Sequence, residues 1–535
     1  MSHAAAGAVP AAPGAASKGS PPQPVFGPRL AAGLFGIFLA AMMAGLNNRV
    51  GGLGLVDVRG ALGFAQDDAS WLGTAYAAGE LVAMPFATWF AITMSLRRFH
   101  LAMLCTSLAL ALLLPLVHNL PLLLALRALQ GVASGALIPL LMMAALRFLP
   151  PPIRLHGLAL YSMTATFAPN LAVWLAGQWS DQWHDWRLIY WHIVPLGLLA
   201  VPLVAWGIPA MPPAPARWKG GNWFGMACAV VGLSLLTVGL DQGVRLDWLR
   251  SPLVAWALAC GLALTALYLF TEWWHPAPFI KLQLLRRRNL WLGFTIFVGL
   301  LVVMASSAAL PAAYLGAVQG YRPLQSAPLG LIVGLPQLLV APAVALLLYR
   351  KWVDARKLMA LGLALMALAC WLGARLTADW TWGEFAWAQV LQCLGQPMAV
   401  VSLLFLATSV VQPMEGPYVA GTVNALRALG TLLGGALISQ LVAVRGRFHA
   451  EMLLDLAGLS GRSPAAVIDP ATLATLVPQQ SLVLATADGY RVLAVLALLL
   501  IPLALRLQHI PAPTIAAVAR VPATPAATVP SSPNV

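Results

Sequence analysis

Fourteen runs of about 20 apolar residues, each long enough to carry an α-helix across a bilayer, dominate this chain. They lie near 30–56, 70–92, 99–118, 122–147, 155–178, 188–209, 222–240, 252–271, 289–316, 326–349, 358–375, 383–411, 418–443 and 489–508. Hydrocarbon offers no partner for a free backbone N–H or C=O, so such runs fold as helices. Internal prolines such as Pro85, Pro169 and Pro336 do not contradict this, because neighbouring helices and hydroxyls satisfy the groups that they free. The fold class is an all-α polytopic membrane protein. A mean hydropathy of +0.82 with 9% charged residues excludes an ordinary soluble domain.

The net charge of +14 invites a nucleic-acid partner, but its distribution argues for topology instead. Alternate loops carry Arg97/Arg98, Arg147/Arg154, Arg217/Lys219, Lys281/Arg286/Arg287/Arg288 and Arg350/Lys351/Arg356/Lys357, with Lys18, Arg29, Arg506 and Arg520 on the same side. By the positive-inside rule that side is cytoplasmic, and an even number of spans puts both termini there. The other loops hold most of the acids, including Asp57, Asp67, Asp181, Asp241 and Asp488.

The expected organisation is a disordered tail over 1–28 and a six-helix unit over 29–209. A linker and an inserted two-helix hairpin cover 210–280, a second six-helix unit covers 281–508, and a disordered tail covers 509–535. The one long extramembrane segment, 445–488, is read as a periplasmic loop. Within it 450–459 has apolar residues at helical spacing, suited to a lid, to the membrane surface or to contact with a partner. The five cysteines all fall in apolar runs without paired spacing, so they read as packing residues, and no metal site is expected.

Ionisable residues inside a membrane span are functional-site hypotheses by default. Here they are Glu80, Arg49, Arg127 and Arg427. At 1.5 Å per residue, Arg49, Glu80 and Arg127 fall at comparable depth and can share one layer. A buried carboxylate stays ionised only beside a cation and otherwise holds a proton. Two readings stay open: Glu80 carries a proton, with Arg49 or Arg127 as its changing partner, or it forms a permanent ion pair that fixes helix packing. Gln130, Asn170, Gln392 and Gln396 suit a polar cavity wall or interhelical hydrogen bonds, and Trp174 suits an aromatic wall or core packing. The segments 125–138 and 425–438 agree at nine of fourteen positions. Each sets an arginine just before small residues, Gly131/Gly135 and Gly430/Gly434, that permit close helix approach.

The segment LALRALQGVASGALIPL at 124–140 resembles the R-x-x-Q-G fourth-helix motif of the major facilitator superfamily. SMT at 162–164, AP at 168–169, DWRLIYWHIVPLG at 185–197, LDQGVRLDW at 240–248 and NALR at 424–427 resemble its fourteen-helix drug:proton antiporter branch, specifically the Emr-type multidrug exporters. The resemblance, over about 30–508, implies two six-helix bundles around a central cavity, a two-helix insertion and alternating access. It also implies a periplasmic adaptor and an outer-membrane channel as partners. It gives Pro169, Gly177, Asn424 and Arg427 structural or gating roles beside Gly131 and Gly135.

Three signatures of that branch are altered. Asn47 stands where the first helix carries an acid, followed by Asn48 and Arg49. The second–third loop has Thr88 for its first glycine and Ile92 for its aspartate, and the fifth-helix G-P-x-x-G-G pattern has become Ala172, Val173, Trp174, Leu175, Ala176 and Gly177. Glu80 is then the candidate replacement for the missing acid. Arg49 beside Asn47 and Asn48 has a second reading, as a site for an anionic or zwitterionic substrate.

The expected function is export of small organic molecules or drugs across a bacterial inner membrane, driven by the proton gradient with no other cofactor. The alternatives are an organic-anion transporter without classical antiport and a non-transporting receptor or scaffold. No enzyme is expected, since the sequence has no phosphate-binding loop, metal-ligand cluster or nucleophile–histidine arrangement. The expected contacts are lipid and a small organic substrate, not nucleic acid.

Overall fold

A computed structural model describes residues 26–150, 152–412, 414–460 and 469–513. Nearly the whole of the expected N-terminal tail, the last residues of the C-terminal one and the centre of the 445–488 segment lie outside these residues.

Among the described residues thirteen helices are long and apolar enough to span a bilayer, and one bent pair makes a fourteenth. They are α1 (Pro28–Leu53), α2 (Gln66–Met94), α3 (Leu96–Leu116), α4 (Leu120–Phe148), the bent α5 (Arg154–Thr166 and Ala168–Gln182), α6 (Leu188–Gly207), α7 (Trp223–Gln242) and α8 (Pro252–Trp274). There follow α9 (Arg288–Val318), α10 (Pro323–Leu348), α11 (Ala355–Gly373), α12 (Ala386–Thr408), α13 (Gly416–Ser460) and α14 (Pro470–Leu505). No strand occurs among the described residues.

The bend of 42° in α5 falls at Phe167, two residues before Pro169, whose missing N–H and bulky ring interrupt the helical ladder. In the second bundle α9 breaks at 305–308, between Met304 and Ala309. The freed groups are taken up inside the bundle. Gln389 Nε2 donates to Ser307 O at 2.6 Å, Tyr490 Oη donates to Ser306 O at 3.3 Å, and Gln392 Nε2 donates to Ser306 Oγ at 2.8 Å.

Helices α1–α6 and α9–α14 pack as two bundles, which meet along α2 against α13 and α5 against α10. Within the first bundle α2 lies on α4 at glycine distance. A Cβ on Gly79 would sit 2.1 Å from Ala128 O, and one on Gly131 would sit 2.1 Å from Tyr76 O. The inserted α7–α8 hairpin lies outside both bundles and buries Cys228, Leu233 and Leu236 of α7 and Tyr268 of α8 against Leu81, Val82, Phe86 and Trp89 of α2. At its root the buried Glu272 accepts from Asn222 Nδ2 at 2.9 Å and from the Ile280 amide at 3.0 Å.

The 445–488 segment is helical where it is described, and this corrects the expected loop. Helix α13 runs on to Ser460 and α14 begins at Pro470. Arg445 and His449 of α13 reach Asp488 of α14 at 2.6 and 2.8 Å, so the two form paired rods. The apolar residues at 450–459 are the continuation of a spanning helix and do not form a separate surface helix.

On the end bearing the arginine-rich loops, here the basic face, Arg287 grips Glu415 with two nitrogens at 2.6 and 2.8 Å. The guanidinium, helped by the Gln412 amide, holds the Glu415 carboxyl below the usual carboxylate range. A depressed folded-state pKa gives stability that is complete above the unfolded value of about 4.3 and lost only as pH falls through the lower folded value. Glu415→Gln should therefore lower thermal stability by the same amount, about 1–2 kcal/mol, at every pH from 5 to 8. A gap in melting temperature that narrows toward pH 5 would show that the pair titrates in that range.

Candidate substrate cavity

Between the bundles lies a cavity of about 900 Å³. One wall comes from the first bundle and is polar, with Asn48, Arg49, Tyr76, Glu80, Arg127 and Asn170. The facing wall on α9 and α13 is largely small and apolar, including Leu301, Met304, Ala308, Ala312, Leu432 and Ala436, with Arg427 as its charge. The cavity reaches Leu53, Gly73 and Ser439 toward the acidic face. At the basic face the bundles touch, so the cavity stops there. A Cβ on Gly421 of α13 would sit 3.0 Å from Pro85 O of α2, Tyr161 Oη of α5 donates to Asn424 Oδ1 at 2.9 Å, and the His156 and Tyr349 rings stack at 5.4 Å.

Glu80 is 9% exposed, and its Oε2 accepts from Asn48 Nδ2 at 2.5 Å. Two glycines put it there: a Cβ on Gly131 would sit 3.1 Å from the Glu80 amide nitrogen, and one on Gly135 would sit 2.6 Å from Glu80 O. The charges acting on its carboxylate are Arg427 and Arg49. Neither makes an ion pair with it among the described residues.

Arg127, expected as a partner for Glu80, is held elsewhere. Its guanidinium lies over the Tyr76 ring at 4.6 Å and the Tyr190 ring at 5.3 Å, and Nη1 donates to Gln130 Oε1 at 2.6 Å. Aromatic faces attract a cation through their quadrupole, which suits a guanidinium with no acid beside it. Arg49 lines the cavity and makes no hydrogen bond or ion pair among the described residues. Arg427 crosses between bundles, giving Nη1 to Thr164 Oγ1 and Nη2 to Thr164 O, the latter at 2.5 Å. With Tyr161–Asn424 it forms a three-bond latch between α5 and α13.

Several residues expected in the cavity do not line it. Asn47 is fully buried, with its Nδ2 3.4 Å from Tyr76 Oη, and Gln130 lies behind Arg127 as its acceptor. Gln392 and Gln396 belong to the interior of the second bundle, where Gln392 closes the α9 break and Gln396 Nε2 donates to Gln392 Oε1 at 3.3 Å. Trp174 is half-buried and not among the lining residues. Asn170 lines the wall, with Nδ2 donating to Thr166 O at 2.6 Å. It also marks the tight α5–α10 crossing, where a Cβ on Gly330 would sit 2.2 Å from Asn170 O and one on Gly177 would sit 2.5 Å from Leu324 Cα.

Two charged lining residues were missed by sequence reasoning. Asp241 and Arg245, from the acidic-face end of the hairpin, form part of the cavity wall. They sit in the LDQGVRLDW segment, whose three charged residues within a conspicuous motif were the available signal. At the acidic face, across the α5–α10 crossing, Asp181 binds both the Arg322 side chain and, at 2.9 Å, the Leu324 amide that opens α10. Arg322 also reaches Asp57 at 3.1 Å.

Residues 37–354 match the family model described as Major Facilitator Superfamily. Among curated relatives, the fatty acid resistance protein FarB of Neisseria gonorrhoeae is 26% identical over 420 residues, covering 78% of this chain and 81% of its own. The multidrug export protein EmrB of Escherichia coli is 24% identical over 439 residues, covering 81% and 84%. The solved structure of the human organic anion transporter MFSD10 covers 90% of this chain and all of its own with a TM-score of 0.56 at 14% identity, a likeness of fold.

Proposed function

Because the chain belongs to the major facilitator superfamily and is thus a transporter, we propose that it exports small organic molecules from the cytoplasm by proton antiport with alternating access. The observation that carries this reading is Glu80, a carboxylate in the cavity wall bound to Asn48 and free of an arginine ion pair. A proton and a positive or hydrogen-bond-donating group of a substrate compete for the same two oxygens, and competition for one site makes the two move in opposite directions. When the bundles close over Glu80, a carboxylate cut off from water is tolerated only as a neutral acid or beside a cation. The nearby Arg427 and Arg49 offer the second option. By the positive-inside rule the basic face is cytoplasmic and the cavity opens outward, and the bacterial Emr relatives support a bacterial inner membrane. The multidrug export relatives support the direction. The rods of α13 and α14 project from the acidic face, where a periplasmic adaptor linked to an outer-membrane channel would dock.

The test is an imposed pH gradient across proteoliposomes with a substrate panel. Uphill substrate movement coupled to counterflow of protons is expected, and substrate flux indifferent to the gradient would sink the antiport reading.

A second reading follows from Arg49, which lines the cavity near Glu80 without forming an ion pair among the described residues. An organic anion would compete with ionised Glu80 for that cation, so anion and proton would bind together and move together. The name of the fatty acid resistance relative is in keeping with such a substrate. Arg49→Ala should then weaken carboxylate substrates selectively, by about tenfold or more, the worth of a charge-assisted hydrogen bond. Equal losses for cationic, neutral and anionic compounds would remove this reading.

A further inference from the structure

The inserted hairpin supplies Leu240, Asp241, Val244 and Arg245 to the cavity wall, and its attachment to the two bundles is lopsided. On α2 it is held by a directional chain. Arg245 Nη1 pairs with Asp67 Oδ1 at 2.9 Å, Arg245 Nε donates to Gln242 Oε1 at 2.6 Å, and Gln242 Nε2 donates to Thr74 Oγ1 at 2.6 Å. Thr74 Oγ1, already an acceptor, gives its own proton to Asp241 Oδ2. Consecutive donors polarise one another, and the chain runs from a guanidinium to a carboxylate. On α13 the loop is held by one hydrogen bond, Trp248 Nε1 to Gln440 Oε1 at 2.7 Å.

That one bond sits on a strained turn. Asp247 and Trp248 both have left-handed backbone, at φ 61° and 53°, a region that side-chain-bearing residues avoid and that persists only where surroundings enforce it. The Trp248 ring covers Gly243 so closely that a Cβ there would meet ring carbons at 2.8 and 2.9 Å. The loop thus stands between α2 and α13 at the end where they diverge, bonded firmly to one and through a strained residue to the other.

We propose that the α7–α8 loop is a wedge carried by the first bundle, that the Trp248–Gln440 bond holds the cavity open at the acidic face, and that its release lets α2 and α13 close. The proposal needs alternating access only. It is independent of the role of Glu80 and of the charge of the substrate.

The test uses the full chain in vesicles, with Cys105, Cys228, Cys260, Cys370 and Cys393 replaced and a single cysteine at Ala312 in the cavity wall. The rate of labelling by a membrane-impermeant maleimide from the acidic face reads the open state. Trp248→Phe keeps the ring over Gly243 and loses the donor, while Gln440→Leu removes the acceptor from the other helix. Each should slow labelling at least fivefold, and the double variant should be no slower than either. Asp247→Gly, which relieves the turn and keeps the bond, should label as fast as the parent or faster. Labelling within twofold of the parent in both single variants overturns the proposal. If one fails to fold, the other decides. In a separate preparation, bridging Trp248→Cys to Gln440→Cys with a bis-maleimide should stop transport, and transport at the unbridged rate would likewise overturn it.

Discussion

Glu80→Gln should abolish pH-gradient-driven transport while substrate still equilibrates down its own gradient. The substitution is close to isosteric, and the glutamine oxygen can still accept from Asn48 Nδ2, which Glu80 does at 2.5 Å. The α2–α4 glycine interlock is untouched, so stability should change little. What disappears is the ability to bind and release a proton, and an exchanger without a titrating group has no means of coupling. The measurement is substrate uptake into pyranine-loaded proteoliposomes, read for internal pH and substrate together. If Glu80 were instead a packing residue, the same variant would lower the melting temperature and slow transport in both modes. Retained gradient-driven transport with unchanged pH dependence would remove Glu80 from the mechanism.

Gly135→Ala and Gly435→Ala should move stability in opposite directions, although the two glycines occupy the same place in the matching segments 125–138 and 425–438. A methyl on Gly135 would lie 2.6 Å from Glu80 O and 2.7 Å from Glu80 Cα, both backbone atoms that cannot rotate away. Overpacking of this kind costs about 1–3 kcal/mol or more, and it would push α2 from α4 and carry Glu80 away from Asn48. At Gly435 nothing lies within 4 Å, so alanine should add up to about 1 kcal/mol through helix propensity and a less flexible unfolded chain. Thermal melts of the purified variants compare the two directly. Similar shifts for both would mean that the α2–α4 crossing is looser than its geometry.

The spanning helices were legible because bilayer burial demands long apolar runs, and Glu80, Arg49 and Arg427 were legible as intramembrane charges. Their partners were not. Arg127 is settled by Tyr76 and Tyr190, which come from two other helices and carry no formal charge. Gln392 and Gln396 looked like cavity residues because a glutamine on an apolar helix is ambiguous between wall and glue. The break in α9 that engages Gln392 is announced only by Ser306 and Ser307 inside a long apolar run. The α13 and α14 rods read as a loop because hydropathy falls where helix leaves lipid, although the helical hydrogen bonds continue. Asp241 and Arg245 belong to a hairpin outside both bundles, so only its docking on α2 brings them to the cavity.

The length of α13 has a mechanical consequence. Its 45 residues make a rod of about 67 Å at 1.5 Å per residue, latched near one end to α5 by Asn424 and Arg427 and standing clear of a hydrocarbon layer of about 30 Å. A tilt of ~10° about that latch would sweep the far tip, ~50 Å away, through ~9 Å by simple leverage on the same helical rise. The rod is a pointer: rocking too slight to resolve at Glu80 would be magnified at Ser460, where a pair of spin labels could time each stroke of the cycle.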